Sequence, residues 1–219
     1  IHKRVKFGSW SSFGVWCLGF VASIGCLGFG ASSALAHHPM GGTVPATMME
    51  GLLSGLGHPL IGIDHFLFIA GAGVLAARFE RGHILPLAFV FASVFATLVR
   101  YLGADAGLGE LPVAASLIVL GAMMLVSSSA TPREGVIALL FLLAGTIHGH
   151  ALGDAIVGAE QTPLVAYLAG LTVIQCPTGL VAWRATSWLA EHRPRVPLQK
   201  IAGAVVGVAG LAFGAMAAL

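Results

Sequence analysis

With 57% hydrophobic and only 9% charged side chains over 219 residues, and a mean hydropathy of +0.92, the chain is too apolar for a soluble domain of this length. It reads as an all-α polytopic membrane protein of one domain. The formal net charge is +2, and no basic patch for nucleic acid is present.

The opening IHKRVKFGSW is basic and leads through an apolar stretch to Ala34-Leu35-Ala36. That succession has the form of a secretory signal peptide, residues 1–36, with a cut expected after Ala36. An uncleaved anchor helix competes with it, as does lipoprotein processing at Cys26, whose preceding Ser-Ile-Gly is a poor lipobox. Cleavage would remove Cys17 and Cys26 and leave Cys176 alone, so neither a disulfide nor a CxxC metal motif is expected in residues 37–219. His37 and His38 would then stand at the new N-terminus, where an amine and two imidazoles form a candidate capture point for a divalent ion. The plainer alternative is a signal junction that tolerates histidine.

The first membrane segment runs apolar from Leu52 to Ala77 but carries GHPLIGIDHF, with His58, Asp64 and His65. From Thr47 to Arg78 a continuous helix would measure about 48 Å, longer than a bilayer core of about 30 Å requires. A break is therefore expected at Gly57-Pro59, where proline lacks an N–H and crowds the preceding turn. His58 and His65, seven residues apart, share a helical face and can point into one cavity. Asp64 lies to one side, as a ligand or as a group that orients a histidine.

Five more apolar segments follow, near residues 84–102, 111–127, 135–153, 163–183 and 200–218, giving six transmembrane helices in all. With the mature N-terminus outside, the inner loops hold Arg78, Arg81, Arg133, Arg184, Arg193, Arg195 and Lys200, and the outer loops only Arg100, as the positive-inside rule requires. This places the chain in the inner (plasma) membrane. Glu110 opens the third span. It is either a carboxylate at a helix N-terminus or an outer-side ligand. Met123 and Met124 read as gap fillers, and Trp183 and Trp188 as interfacial anchors. Gly203, Gly207, Gly210 and Gly214 recur at helical spacing and admit a close helix neighbour. Gln175 either satisfies backbone freed by Pro177 or lines a pathway. The stretch 184–200 reads as a cytoplasmic linker.

A second polar cluster, GTIHGHALGD, ends the fourth span with His148, His150 and Asp154. His148 and His150 diverge on a helix; the deeper His148 is the candidate inward ligand, and Asp154 approaches its face at the mouth. Lone His83 and His192 read as hydrogen-bonded core or interfacial residues. Two clusters of costly polar groups on two spans point to a functional site rather than to separate core histidines. Imidazole and carboxylate without thiolate suit nickel, cobalt, zinc or copper(II), and the residues do not choose among them.

HPLIGIDH, with its His-Pro-x-x-Gly-x-Asp-His pattern, resembles the signature of the HupE/UreJ family of membrane proteins. HGHALGDAIVGAEQTPLVAYLAGLTVIQ is similar to that family's later block, with Asp154 where a glutamate is usual. The resemblance implies a secondary permease for nickel or cobalt, with no prosthetic group, serving hydrogenase, urease or cobalamin metallation. It assigns His58, Asp64, His65, Glu110 and His148 to the metal, and leaves open a homo-oligomer or contact with metalloenzyme-maturation proteins. No GxxxxGK[ST] motif is present. The two histidine-bearing helices open spans one and four, which is the arrangement of inverted three-helix repeats. Two other classes are an intramembrane zinc hydrolase acting on a lipid or acyl substrate, which needs an activated water, and a haem electron carrier built on facing histidines.

Overall fold

The computed structural model describes residues 43–126 and 132–219, which form seven helices and no strand. The expected signal peptide, with His37 and His38, lies outside the described residues. In chain order the helices are α1 (Met48–Ile61), α2 (Ile63–Ala76), α3 (Ile84–Tyr101), α4 (Glu110–Leu125), α5 (Glu134–Gly153), α6 (Gln161–His192) and α7 (Leu198–Ala217). Four of them, α3, α5, α6 and α7, are long and apolar enough to cross a membrane; α1 and α2 together make a fifth if taken as one broken span. At 16 residues, α4 is shorter.

The first helix starts at a capping box. Thr47 Oγ1 accepts from Glu50 N–H, and the Glu50 carboxylate accepts from Thr47 N–H, so two of the unpaired N–H groups of a helix start are satisfied. The break falls at Gly62, not at Gly57-Pro59. Pro59 sits inside α1, and α2 leaves at 74° to it. A proline deletes one hydrogen bond and loosens the turn before it, but the chain turns only where a residue can leave helical torsions without a side-chain collision. Gly62, at ψ 87°, is that residue: a Cβ there would lie 2.8 Å from His65 Cδ2 and 3.1 Å from the His58 carbonyl.

Packing runs in three principal pairs, α1 with α6, α3 with α5, and α4 with α7. Glycines allow each close approach. A Cβ on Gly51 or Gly55 would meet the carbonyl of Pro163 or Tyr167 at 2.3 or 2.2 Å; one on Gly145 or Gly149 would meet that of Phe89 or Ser93 at 2.4 or 2.1 Å. Gly121 of α4 stands against Gly203 and Gly207, and Gly210 against Ile118, as the glycine spacing of the last segment led us to expect. Gly214, by contrast, meets only Ala114 at ordinary contact distance. Exchanging the halves α1–α4 and α5–α7 maps the first two pairs onto each other and the third onto itself, so the packing pattern repeats between the halves.

The apolar core lies where α2 enters between the pairs. Phe68, Phe89 and Phe141 are buried around His148, with Phe68 and Phe89 stacked at 4.8 Å. Met124 is fully buried in the same core, as a gap filler should be. The supposed cytoplasmic linker from Arg184 is mostly helix, because α6 continues to His192 and only residues 193–197 connect it to α7. Nothing in Ala-Thr-Ser-Trp-Leu-Ala-Glu-His opposes the helix before Pro194, and Ser187 adds a hydroxyl bond back to the Trp183 carbonyl.

Candidate metal centre

The 74° bend at Gly62 gathers the site. On a straight helix, residues seven apart are separated by about 10.5 Å of rise; here the His58 and His65 rings have centroids 5.8 Å apart and meet edge to face. The bend also makes Asp64 the second residue of α2, where N-terminal N–H groups favour an anion, and its Oδ1 accepts from His65 N–H at 2.8 Å. Asp64 Oδ1 is 4.0 Å from His65 Nε2. His58, Asp64, His65 and His148 are all at most 3% exposed.

Hydroxyl partners fix the imidazoles. Tyr167 Oη donates to the Leu152 carbonyl at 2.6 Å, so at 2.8 Å from His58 Nδ1 it accepts, and His58 is protonated on Nδ1. Ser116 Oγ donates to the Val113 carbonyl and therefore accepts from His148 Nε2 at 2.8 Å. Neutral His148 then carries its lone pair on Nδ1, which receives His65 Nδ1–H at 2.8 Å. The contacts place a proton on Nδ1 of both His58 and His65, while both nitrogens of His148 are engaged. Among the described residues no three of His, Cys, Asp and Glu stand close enough to hold a metal ion jointly. The donors are gathered but not closed around a point.

The other expected ligands lie apart from this group. Asp154, 50% exposed, receives Arg100 Nε at 2.8 Å. Arg100 also reaches Asp105 at 3.5 Å, and His150 Nε2 is 3.3 Å from that same carboxylate. The Gly107 backbone N–H and the Arg100 guanidinium hold the Asp105 carboxyl below the usual carboxylate range. Glu110 is exposed in the first turn of α4. His83 lies beside Trp183 and His192 stacks on Trp188, in keeping with interfacial roles. Sequence reasoning missed Tyr167 and Ser116. A tyrosine in the otherwise apolar LVAYLAG was the available signal for the first; a lone serine in a membrane helix gives almost none for the second.

The profile of the family described as HupE / UreJ protein matches residues 26–213. The chain belongs to the HupE/UreJ family. It is 26% identical over 167 residues to a protein named HupE from Rhizobium leguminosarum bv. viciae, covering 75% of this chain and 84% of that one. No solved structure matches. Membership implies, in general terms, nickel or cobalt transport by a multi-pass membrane protein that is a transporter rather than an enzyme. The hydrolase alternative finds no support.

Proposed function

We propose that the chain is a secondary permease that carries nickel or cobalt inward through the His58, Asp64 and His65 site. The observation that supports this reading is the burial of two imidazoles and a carboxylate beside one another at the bend, residue types that suit a borderline divalent cation once the donors close around it. His148 holds His65 in orientation through its Nδ1 and completes the set only if that nitrogen gives up the His65 N–H. Glu110 and Asp154 act at the outer approach, with Asp154 neutralised by Arg100 in the present arrangement; His37 and His38 would capture the ion before it.

In this reading residues 37–219 form one six-span domain after a signal peptide of residues 1–36. The pair α1–α2 is one broken span, and α4, about 24 Å long, crosses where the bilayer thins or the helix is extended by its flanks. The mature N-terminus faces outside in the inner membrane, consistent with the arginines and lysine of the inner loops.

Uptake of nickel, cobalt, zinc and copper by cells carrying the wild type, His58→Ala or Asp64→Ala tests the proposal. Selective uptake of nickel or cobalt, lost in both variants, is expected. Equal accumulation of every metal in all three strains would refute it.

A further inference from the structure

Gln175 is fully buried, and neither its Oε1 nor its Nε2 meets a hydrogen-bond partner among the described residues. It does not serve the backbone freed by Pro177; the nearby hydroxyl of Thr178 bonds the Ile174 carbonyl, and the Gln175 amide bonds nothing. An unpaired carboxamide in a membrane core is expensive, and leucine would fill the same space without that cost.

Its position follows from its neighbours. On α6 the buried residues Tyr167, Leu171, Gln175 and Gly179 succeed one another every four positions, so they share a face. Tyr167 holds His58 at the start of that face. Gly179, one turn beyond Gln175, lies against Pro86 and Ile69, and Ile69 is one turn beyond His65. Gly73, a turn further along α2, lies against the Gly179 carbonyl and Ala182. The two helices therefore run side by side in the same direction, and Gln175 falls between the levels of His65 and Ile69, which is the inward side of His65 in the proposed orientation with the N-terminus outside.

We propose that Gln175 is an inner station of the permeation route, taking the divalent cation on its carboxamide oxygen as the ion leaves the imidazoles of the site described above. The inference rests on the permease reading. A neutral oxygen replaces part of the hydration shell yet binds more weakly than imidazole and carboxylate together, so it lowers the barrier to exit without trapping the ion. The carboxamide N–H groups cannot ligate and would turn away from the cation.

The test pairs Gln175→Leu with Gln175→Met, two apolar side chains of similar length, either of which serves if the other fails to reach the membrane. Three quantities are measured: the initial rate of cobalt uptake by cells, the cobalt affinity of purified protein from its visible absorption, and the thermal midpoint. The expected result is uptake reduced about tenfold or more, affinity within about threefold of wild type, and a midpoint unchanged or raised because an unpaired amide has gone. Wild-type uptake rates in a variant would overturn the proposal while leaving the permease reading intact. A parallel loss of cobalt affinity would place Gln175 in the histidine site itself and also overturn an inner station. Absence of uptake by the wild type would remove the permease reading and this inference together.

Discussion

Replacing Tyr167 with phenylalanine removes one oxygen and keeps the ring, so it isolates what the hydroxyl does. That oxygen donates to the Leu152 carbonyl at 2.6 Å and accepts from His58 Nδ1 at 2.8 Å, in a residue with no exposure. Side-chain hydrogen bonds within membrane proteins are worth about 0.6 to 1.7 kcal/mol each, so losing two should cost about 1–3 kcal/mol of stability. The functional effect is separate. Without the acceptor at Nδ1, the His58 proton can move to Nε2, which removes the lone pair that would face the metal. Losing the group that orients a metal-binding histidine typically weakens affinity by about 10- to 100-fold, or about 1.4–2.8 kcal/mol. Titration of purified protein with cobalt, followed by visible absorption, reads the affinity, and thermal unfolding reads the stability. A cobalt affinity within about twofold of wild type would refute the argument that the Tyr167 hydroxyl sets the His58 tautomer, whatever happened to the midpoint.

Ser116→Ala should act in the same manner one step removed: His148 loses its Nε2 acceptor, and cobalt affinity should fall by less than for Tyr167→Phe in the same titration. Gly149→Ala would force a methyl to within 2.1 Å of the Ser93 carbonyl, so α3 and α5 must separate; an overpacking cost of about 1–3 kcal/mol should appear in thermal unfolding, together with reduced uptake. Arg78→Ala removes donors to the Met123, Met124 and Val126 carbonyls and to Gln199, leaving the end of α4 uncapped, and should lower stability by about 1–3 kcal/mol, measured as the thermal midpoint. Asp154→Asn breaks a half-exposed ion pair with Arg100, worth at most about 1 kcal/mol, and should leave cobalt affinity nearly unchanged; a loss comparable to that of Asp64→Ala would make Asp154 a direct ligand after all.

The residues gathered at the candidate site were legible because lipid makes polar groups conspicuous: His58, Asp64, His65 and His148 stood out in apolar runs, and all four are buried near one another. Their geometry was not legible in the same way. Helical periodicity correctly said that His58 and His65 could cooperate but for an incomplete reason, since the bend at Gly62, and not a shared face, closes the distance. Proline marked the neighbourhood of the break, while its position was decided by a collision between a would-be Cβ and His65, three residues on, which exists only once the chain has turned. Helical spacing from His148 and its place in the family block brought Asp154 into the expected ligand set; the structure pairs it with Arg100, more than fifty positions away, a contact no local pattern encodes.

The glycines explain how the two histidine clusters come to face each other. Gly55 stands three residues before His58, and Gly145 three before His148. Each glycine meets the carbonyl of an aromatic residue on the partner helix, Tyr167 or Phe89, and the same aromatic ring then packs edge-on against the histidine of its cluster, at 6.4 and 5.4 Å. The two halves thus present the same device, and they differ at the aromatic by one hydroxyl. The Tyr167 hydroxyl accepts from His58 Nδ1, whereas Phe89 offers His148 no such partner, and His148 is bonded to Ser116 and His65 instead. The scaffold thereby yields unlike histidines: His58 is held by a tyrosine hydroxyl, and His148 links His65 to Ser116. If the proposed site takes an ion, the His65–His148 bond would carry the disturbance to α5, which packs against α3.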